Sequence, residues 1–180
     1  MALDGTEVRV AGTGSVYFAP TGSTLPTDVA TALDAAFIDA GYISEDGVTF
    51  SLGRETEDLN AWQGSKVRVL TTGEPKSIEF TLMQSNKENI PFILGGGTIS
   101  GAASEFKYTP PAKGTNTERA MVVEFTDGAV TYRYVFPRVQ LEGEVSFSLT
   151  ANGAVEYPTT WGVLDATPAY EILTNDAAWA

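Results

Sequence analysis

The chain has 180 residues, 23 of them acidic and 11 basic, for a formal charge of −12. Proteins that grip nucleic acid gain affinity by neutralising phosphates, so this balance argues against a duplex-binding surface. Cysteine and histidine are both absent, which excludes disulfides, thiolate metal sites, a Ser-His-Asp triad, a Cys-His pair and an HExxH zinc site.

This length suits one domain with extended arms and buries enough surface for a single core. No apolar run reaches the ~20 residues that span a bilayer. Residues 1–20 lack a basic start followed by an apolar block, so no signal peptide is expected and folding in a cytoplasm is. Eighteen glycines and nine prolines punctuate segments rich in Thr and Val, a pattern of short strands and turns.

Residues 1–14 are polar and Gly-rich and read as an N-terminal arm. Residues 15–19 (SVYFA) read as a strand, and 20–27 as a loop. Residues 31–40 read as a brief helix: Leu33, Phe37 and Ala40 share a face, Thr31 with Asp34 makes a capping box, and Gly41 stops it. Residues 48–52 alternate as a strand. The acidic stretch 53–64 (GRETEDLNAWQG) reads as an excursion loop. Strands 65–71 and 76–84 follow, joined by a turn at 72–75. In the second, Ile78, Phe80 and Leu82 oppose Ser77, Glu79 and Thr81.

Residues 86–94 read as a helix capped by Asn86, bent at Pro91 and ended by Gly95. Residues 95–104 read as a mobile loop and 105–109 as a short strand. The clearest hairpin is 119–126 with 129–137 around Asp127-Gly128. Met121, Val123 and Phe125 face one side of it, and Tyr132, Tyr134 and Phe136 alternate on the return. A second hairpin is expected from 139–150 and 154–161 around Asn152-Gly153. Leu141, Val145, Phe147 and Leu149 oppose Glu142, Glu144, Ser146, Ser148 and Thr150 on its first strand. Residues 164–180 read as a C-terminal arm around a 15–163 domain. About eight strands with one or two short helices predict a mainly β fold, a β-sandwich or partly closed barrel.

No chemical motif survives scrutiny. Gly12-Thr13-Gly14 lacks the strand, helix and third glycine of a dinucleotide fingerprint, and Gly95-Gly96-Gly97 lacks the Gly-Lys-Ser/Thr of a phosphate loop. Glu142 and Glu144, two apart on a strand, would lie ~7 Å apart on one face, but no aromatic residue interleaves them there, so a solvated face is the simpler reading. No Asp-x-Asp-x-Asp-Gly calcium loop is present. Neither enzyme activity, metal nor cofactor is expected. Trp161 ends an alternating strand and reads as core. Trp62 in its polar loop and Trp179 near the end must pack either on their own domain or on a neighbouring subunit.

One stretch is more specific. Residues 32–52 (ALDAAFIDAGYISEDGVTFSL) run from an apolar helical face through a Gly turn and an Asp-Gly turn into an alternating strand. With 61–68 (AWQGSKVR) and 80–94 (FTLMQSNKENIPFIL), and above all through Gly41-Tyr42-Ile43-Ser44, Asp46-Gly47-Val48 and Ala61-Trp62-Gln63, the chain resembles the major tail tube protein of long-tailed, siphovirus-type bacteriophages, particularly those of actinobacterial hosts.

The resemblance implies a small β-sandwich with a flanking helix. It implies hexameric rings joined sheet edge to sheet edge and stacked into the virion tail tube, assembled in the bacterial host cytoplasm. The implied partners are further copies of the chain, a tape measure protein in the lumen, and tail terminator and tail tip proteins; genomic DNA passes through without specific binding. On this reading Glu142, Glu144, Ser146, Ser148 and Thr150, with Glu79 and Glu156, face the lumen, with the tube exterior as the competing location. Segments 1–14, 53–64 and 164–180 reach the next ring. Arg54, Glu55, Glu57, Asp58, Trp62, Lys66, Arg68, Arg138 and Trp179 form the subunit and ring-stacking interface. Other readings are a tail terminator, a capsid decoration protein, or a carbohydrate-binding or adhesion sandwich using the Tyr132, Tyr134, Phe136 row.

Overall fold

The computed structural model describes residues 5–102 and 104–179. The start of the expected N-terminal arm (1–4), Ala103 of the expected mobile loop and Ala180 lie outside the described residues. The fold is mainly β. Its central sheet contains β1 (Thr13–Pro20), β2 (Ile38–Asp39), β3 (Ile43–Leu52), β6 (Lys76–Leu82), β9 (Arg119–Asp127), β10 (Val130–Glu142), β11 (Tyr157–Val163) and β12 (Glu171–Thr174). The order is β2-β1-β9-β10-β11-β6-β3, with β12 also on β10 and every pairing antiparallel. Two ribbons stand apart, β4 (Glu55–Asn60) with β5 (Lys66–Gly73) and β7 (Thr98–Ala102) with β8 (Glu105–Thr109).

Strand β10 is the hinge of this arrangement. Its first half pairs with β9 on one side and β12 on the other; its last residues, Val139–Glu142, pair with β11. Between Phe136 and Val139 the β9 register slips by one residue, across Pro137, which has no N–H to give a ladder. The bulge lets one strand serve both halves of the sheet. The β9–β10 hairpin is where the sequence puts it, with Gly128 at φ 61° in the turn.

The two halves are clamped by one short helix, α1 (Asn89–Ile93). Phe92 stacks between Phe18 of β1 at 4.0 Å and Trp161 of β11 at 4.3 Å, and all three are buried. The helix starts three residues later than the sequence predicts, with Glu88 rather than Asn86 at its N-cap, but the Asn86 carboxamide oxygen still accepts the Glu88 and Asn89 N–H groups at its entry. Pro91 sits in the first turn, where its missing N–H is not needed.

Three sequence expectations are corrected. Residues 31–40 form no helix. The Asp28 carboxylate takes the N–H groups of Ala30 and Thr31, and that of Asp34 takes the Ala36 N–H, so side chains outcompete the helical ladder. The loop is instead pinned across the sheet by Arg133, which donates to the Asp28 and Thr31 carbonyls and pairs with Glu124 at 2.7 Å. Strand β5 pairs with β4 rather than with β6. The 139–150 strand ends at Glu142, where Gly143 turns at φ 73°, and 143–156 runs as an irregular loop, so the second hairpin is absent.

The Phe18–Phe92–Trp161 stack sets a test. Phe92→Ala should cost about 3–5 kcal/mol in chemical denaturation, whereas Phe106→Ala, at an exposed ribbon position, should stay within about 0.5 kcal/mol of the parent. Equal effects would contradict the clamp.

Candidate assembly surfaces

Residue pairing shows how the first ribbon is built. Leu52 pairs with Lys76, the Gly53 N–H donates to the Pro75 carbonyl, and Glu55 pairs with Gly73. Thus β3–β4 and β5–β6 are the two arms of one long hairpin whose outer half leaves the sheet. With six residues at ~3.4 Å rise, β4 carries the ribbon about 20 Å outward. Every β4 residue is exposed, and Leu59, Val67, Val69 and Leu70 add apolar surface. Trp62 at the tip is 101% exposed, so the own-domain alternative fails for this ring. The expected excursion loop is therefore mostly one strand of a paired ribbon.

This ribbon gathers Arg54, Glu55, Glu57, Asp58, Trp62, Lys66 and Arg68. Lys66 pairs with Asp58 at 2.6 Å across the strands, Arg54 lies 3.6 Å from Glu74, and Arg68 has no ion partner among the described residues. Arg138 is elsewhere. It is engaged by Glu118 at 3.0 Å and donates to the Asp165 carbonyl, and the mutual pairing lowers the Glu118 pKa and raises that of Arg138. Trp179 also lies apart, its ring edge-on to Tyr132 at 5.9 Å, though still exposed.

A second surface is a face of the central sheet. Thr49 pairs with Glu79, Glu79 with Thr160 and Thr160 with Glu142, which makes one transverse row across β3, β6, β11 and β10. Ser51, Ser77, Gly162 and Gln140 form the next row. The reverse face carries Phe50, Ile78 and Trp161 into the core. A Cβ at Gly162 would collide with the Glu142 carboxylate, which lies over it. Of the expected lumen residues, Glu79 and Glu142 share this row, while Glu144, Ser146, Ser148, Thr150 and Glu156 lie in the 143–156 loop. Sequence reading missed Thr49 and Thr160, whose membership only cross-strand register reveals.

The third surface is an open seam. β3 pairs only with β6, and β1 from Thr13 to Ser15 pairs only with β9, so these strands face each other without a ladder. Between them lies a cleft of ≈ 970 Å³, floored by Phe50, Ile78, Val123, Phe125, Tyr134 and Phe136. The aromatic row from β10 therefore faces inward, with Tyr132 and Phe136 buried; that removes the flat exposed face a carbohydrate-binding sandwich needs.

The described ends of both expected arms are held on the domain. Arg9 grips the Asp176 carboxylate through two donors, each 2.6 Å away, and the Tyr132 hydroxyl donates to the same group. Strand β12 lies within the expected C-terminal arm and pairs with β10. Bonding to Arg9, then to Tyr132, holds the Asp176 pKa far below the usual carboxylate range despite burial.

Among the described residues no helix is long and apolar enough to cross a membrane. The family model of the phage tail tube protein matches residues 1–180. No curated protein matches the sequence. Solved structures with a similar chain include the sheath-tube complex, in its extended state, of the extracellular contractile injection system PVC (9% identity, 98% of this chain and 100% of that chain, TM-score 0.47). Others are the virion of a native gene transfer agent particle (10%, 97% and 100%, TM-score 0.42) and the tail of an empty gene transfer agent particle (12%, 92% and 96%, TM-score 0.39).

The latch predicts a pH dependence. A carboxylate depressed on folding stabilises the protein above its unfolded pKa of about 3.9, and that stability is lost as pH falls toward the lower folded value. Asp176→Asn should lower the thermal midpoint at neutral pH and flatten its fall below about pH 4. Parent and variant curves that stay parallel in acid would contradict the latch.

Proposed function

Because the chain belongs to the phage tail tube protein family, a structural component of the virion tail, we propose that it assembles into stacked hexameric rings that form the genome conduit of a siphovirus-type tail. The observation that carries this reading is the β4–β5 ribbon. It leaves Trp62 wholly and Val67 and Val69 about half or more exposed among the described residues, and such an apolar surface marks a contact with another molecule. The free borders of β1 and β3 offer backbone contacts to a neighbouring copy, since a bare edge is a template for another chain. The ribbon, with Arg54, Glu55, Glu57, Asp58, Trp62, Lys66 and Arg68, contacts the next ring. Val8, Val10 and Trp179 on the latched termini, with Arg138, add to the interface.

The row Thr49, Glu79, Thr160 and Glu142 lines the bore, extended by Glu144, Ser146, Ser148, Thr150 and Glu156 from the adjoining loop. A wall of hydroxyls and carboxylates offers phosphate no counter-charge, so DNA passes hydrated and unbound. Tape measure, terminator and tip proteins are the heterologous partners, and the host cytoplasm is the place of assembly. The acidic surface also sets the conditions. Like-charged subunits repel within about 8 Å at physiological salt, so added salt or divalent cations should promote assembly.

Electron microscopy of concentrated protein across a salt series tests this. Long hollow tubes that increase with salt are expected. Monodisperse globules at every condition would overturn the reading, and a reconstruction with Glu79 and Glu142 on the outer wall would overturn the bore assignment.

A further inference from the structure

We propose that the cleft between β1 and β3 is the socket for the β4–β5 tip of a second copy of this chain, with Trp62 seated on its aromatic floor. The inference rests on the tube reading above and adds the receiving site.

The cleft has the properties of a socket. Its floor is apolar, its volume of ≈ 970 Å³ admits an indole and its flanking turn, and its walls are strand borders without a ladder. Its charged lining is wholly acidic: Asp39, Glu45 and Glu124. Asp39 accepts the Gly41 N–H and Glu124 pairs with Arg133, whereas Glu45 is exposed and has no ion partner among the described residues.

Charge then selects the occupant among the described projections of the chain. The β7–β8 ribbon flanks Phe106 with Glu105 and Lys107, which cancel, and the 143–156 loop carries Phe147 and Leu149 with two glutamates and no cation. Neither brings net positive charge to an acidic mouth. From Leu59 to Arg68 the β4–β5 tip has two cations, Lys66 and Arg68, and no acid. Lys66 is already shared with Asp58, which leaves Arg68 as the unpaired charge opposite Glu45. Trp62 supplies the large ring that the floor lacks, and the ribbon's own unpaired borders can add to β1 or β3 as an extra strand. Because Trp62 is wholly exposed on its own domain, the copy that fills the cleft must be another one.

The absence of native cysteine makes the test clean. Gln63→Cys protein and Ser44→Cys protein are mixed, assembled and treated with a short bismaleimide. The expected product is a heterodimer joining tip to cleft wall, absent when Lys107→Cys on the β7–β8 ribbon replaces Ser44→Cys. In parallel, in a Trp179→Phe background, which leaves Trp62 as the one exposed indole, the tryptophan emission should shift to the blue on assembly, and that shift should be lost when Trp62→Phe is added. Tubes that form with no Gln63–Ser44 product, or with no blue shift of Trp62, overturn the socket while leaving the tube reading intact. Failure of the parent to form tubes at all overturns both.

Discussion

A sheet that curls toward a barrel must pair its first and last strands, and this one does not. β10 bends at its bulge to serve both halves, α1 fixes them with the Phe18–Phe92–Trp161 stack, and the sheet then ends at β3 on one side and at the two-residue β2 and the uncovered 13–15 border of β1 on the other. The remaining seam exposes backbone donors and acceptors along both walls and an aromatic floor between them. For a solitary domain that would be an aggregation hazard. In a protein of a tail tube family we propose that the same defect serves as an assembly site, because identical copies can satisfy it and only in a fixed orientation.

The ribbon follows from the same geometry. Since β3–β4 and β5–β6 are one hairpin, the projecting tip is mechanically continuous with the strand that forms one wall of the seam. A ligand in the cleft would therefore bear on the base of the ribbon that we propose contacts the next copy. Meanwhile the outward face of that sheet half carries hydroxyls and two glutamates in register, so the surface opposite the core is hydrophilic where the edges are not.

How much of this was readable beforehand depends on whether the signal is local. The β9–β10 hairpin was legible because Asp127-Gly128 fixes the turn and the flanking alternation fixes the faces. The Asn86 turn that leads into α1 and the Gly95 stop were legible for the same reason. Residues 31–40 misled because helical spacing was counted without the Asx turns of Asp28 and Asp34, which compete for the same N–H groups. Strand β5 misled because alternation reports a pleat and not its partner; the 72–75 stretch looked like a hairpin turn but is a break midway along one arm of a longer hairpin. The alternation from Leu141 to Leu149 promised a strand, yet past Gly143 no neighbour is in place to receive it. Of the proposed bore residues, Glu79 and Glu142 were visible singly, but their alignment through Thr160 needed the register. The seam itself is invisible in sequence, being the absence of one pairing between strands far apart in the chain.

The most direct measurement is amide hydrogen exchange along residues 13–15 and 43–50 in the free protein and in its assembled form. Rapid exchange at the outward-facing amides of the free chain, replaced by strong protection on assembly, is the predicted result. Equal exchange in both states would mean that no copy covers the seam, and would contradict the account at its base.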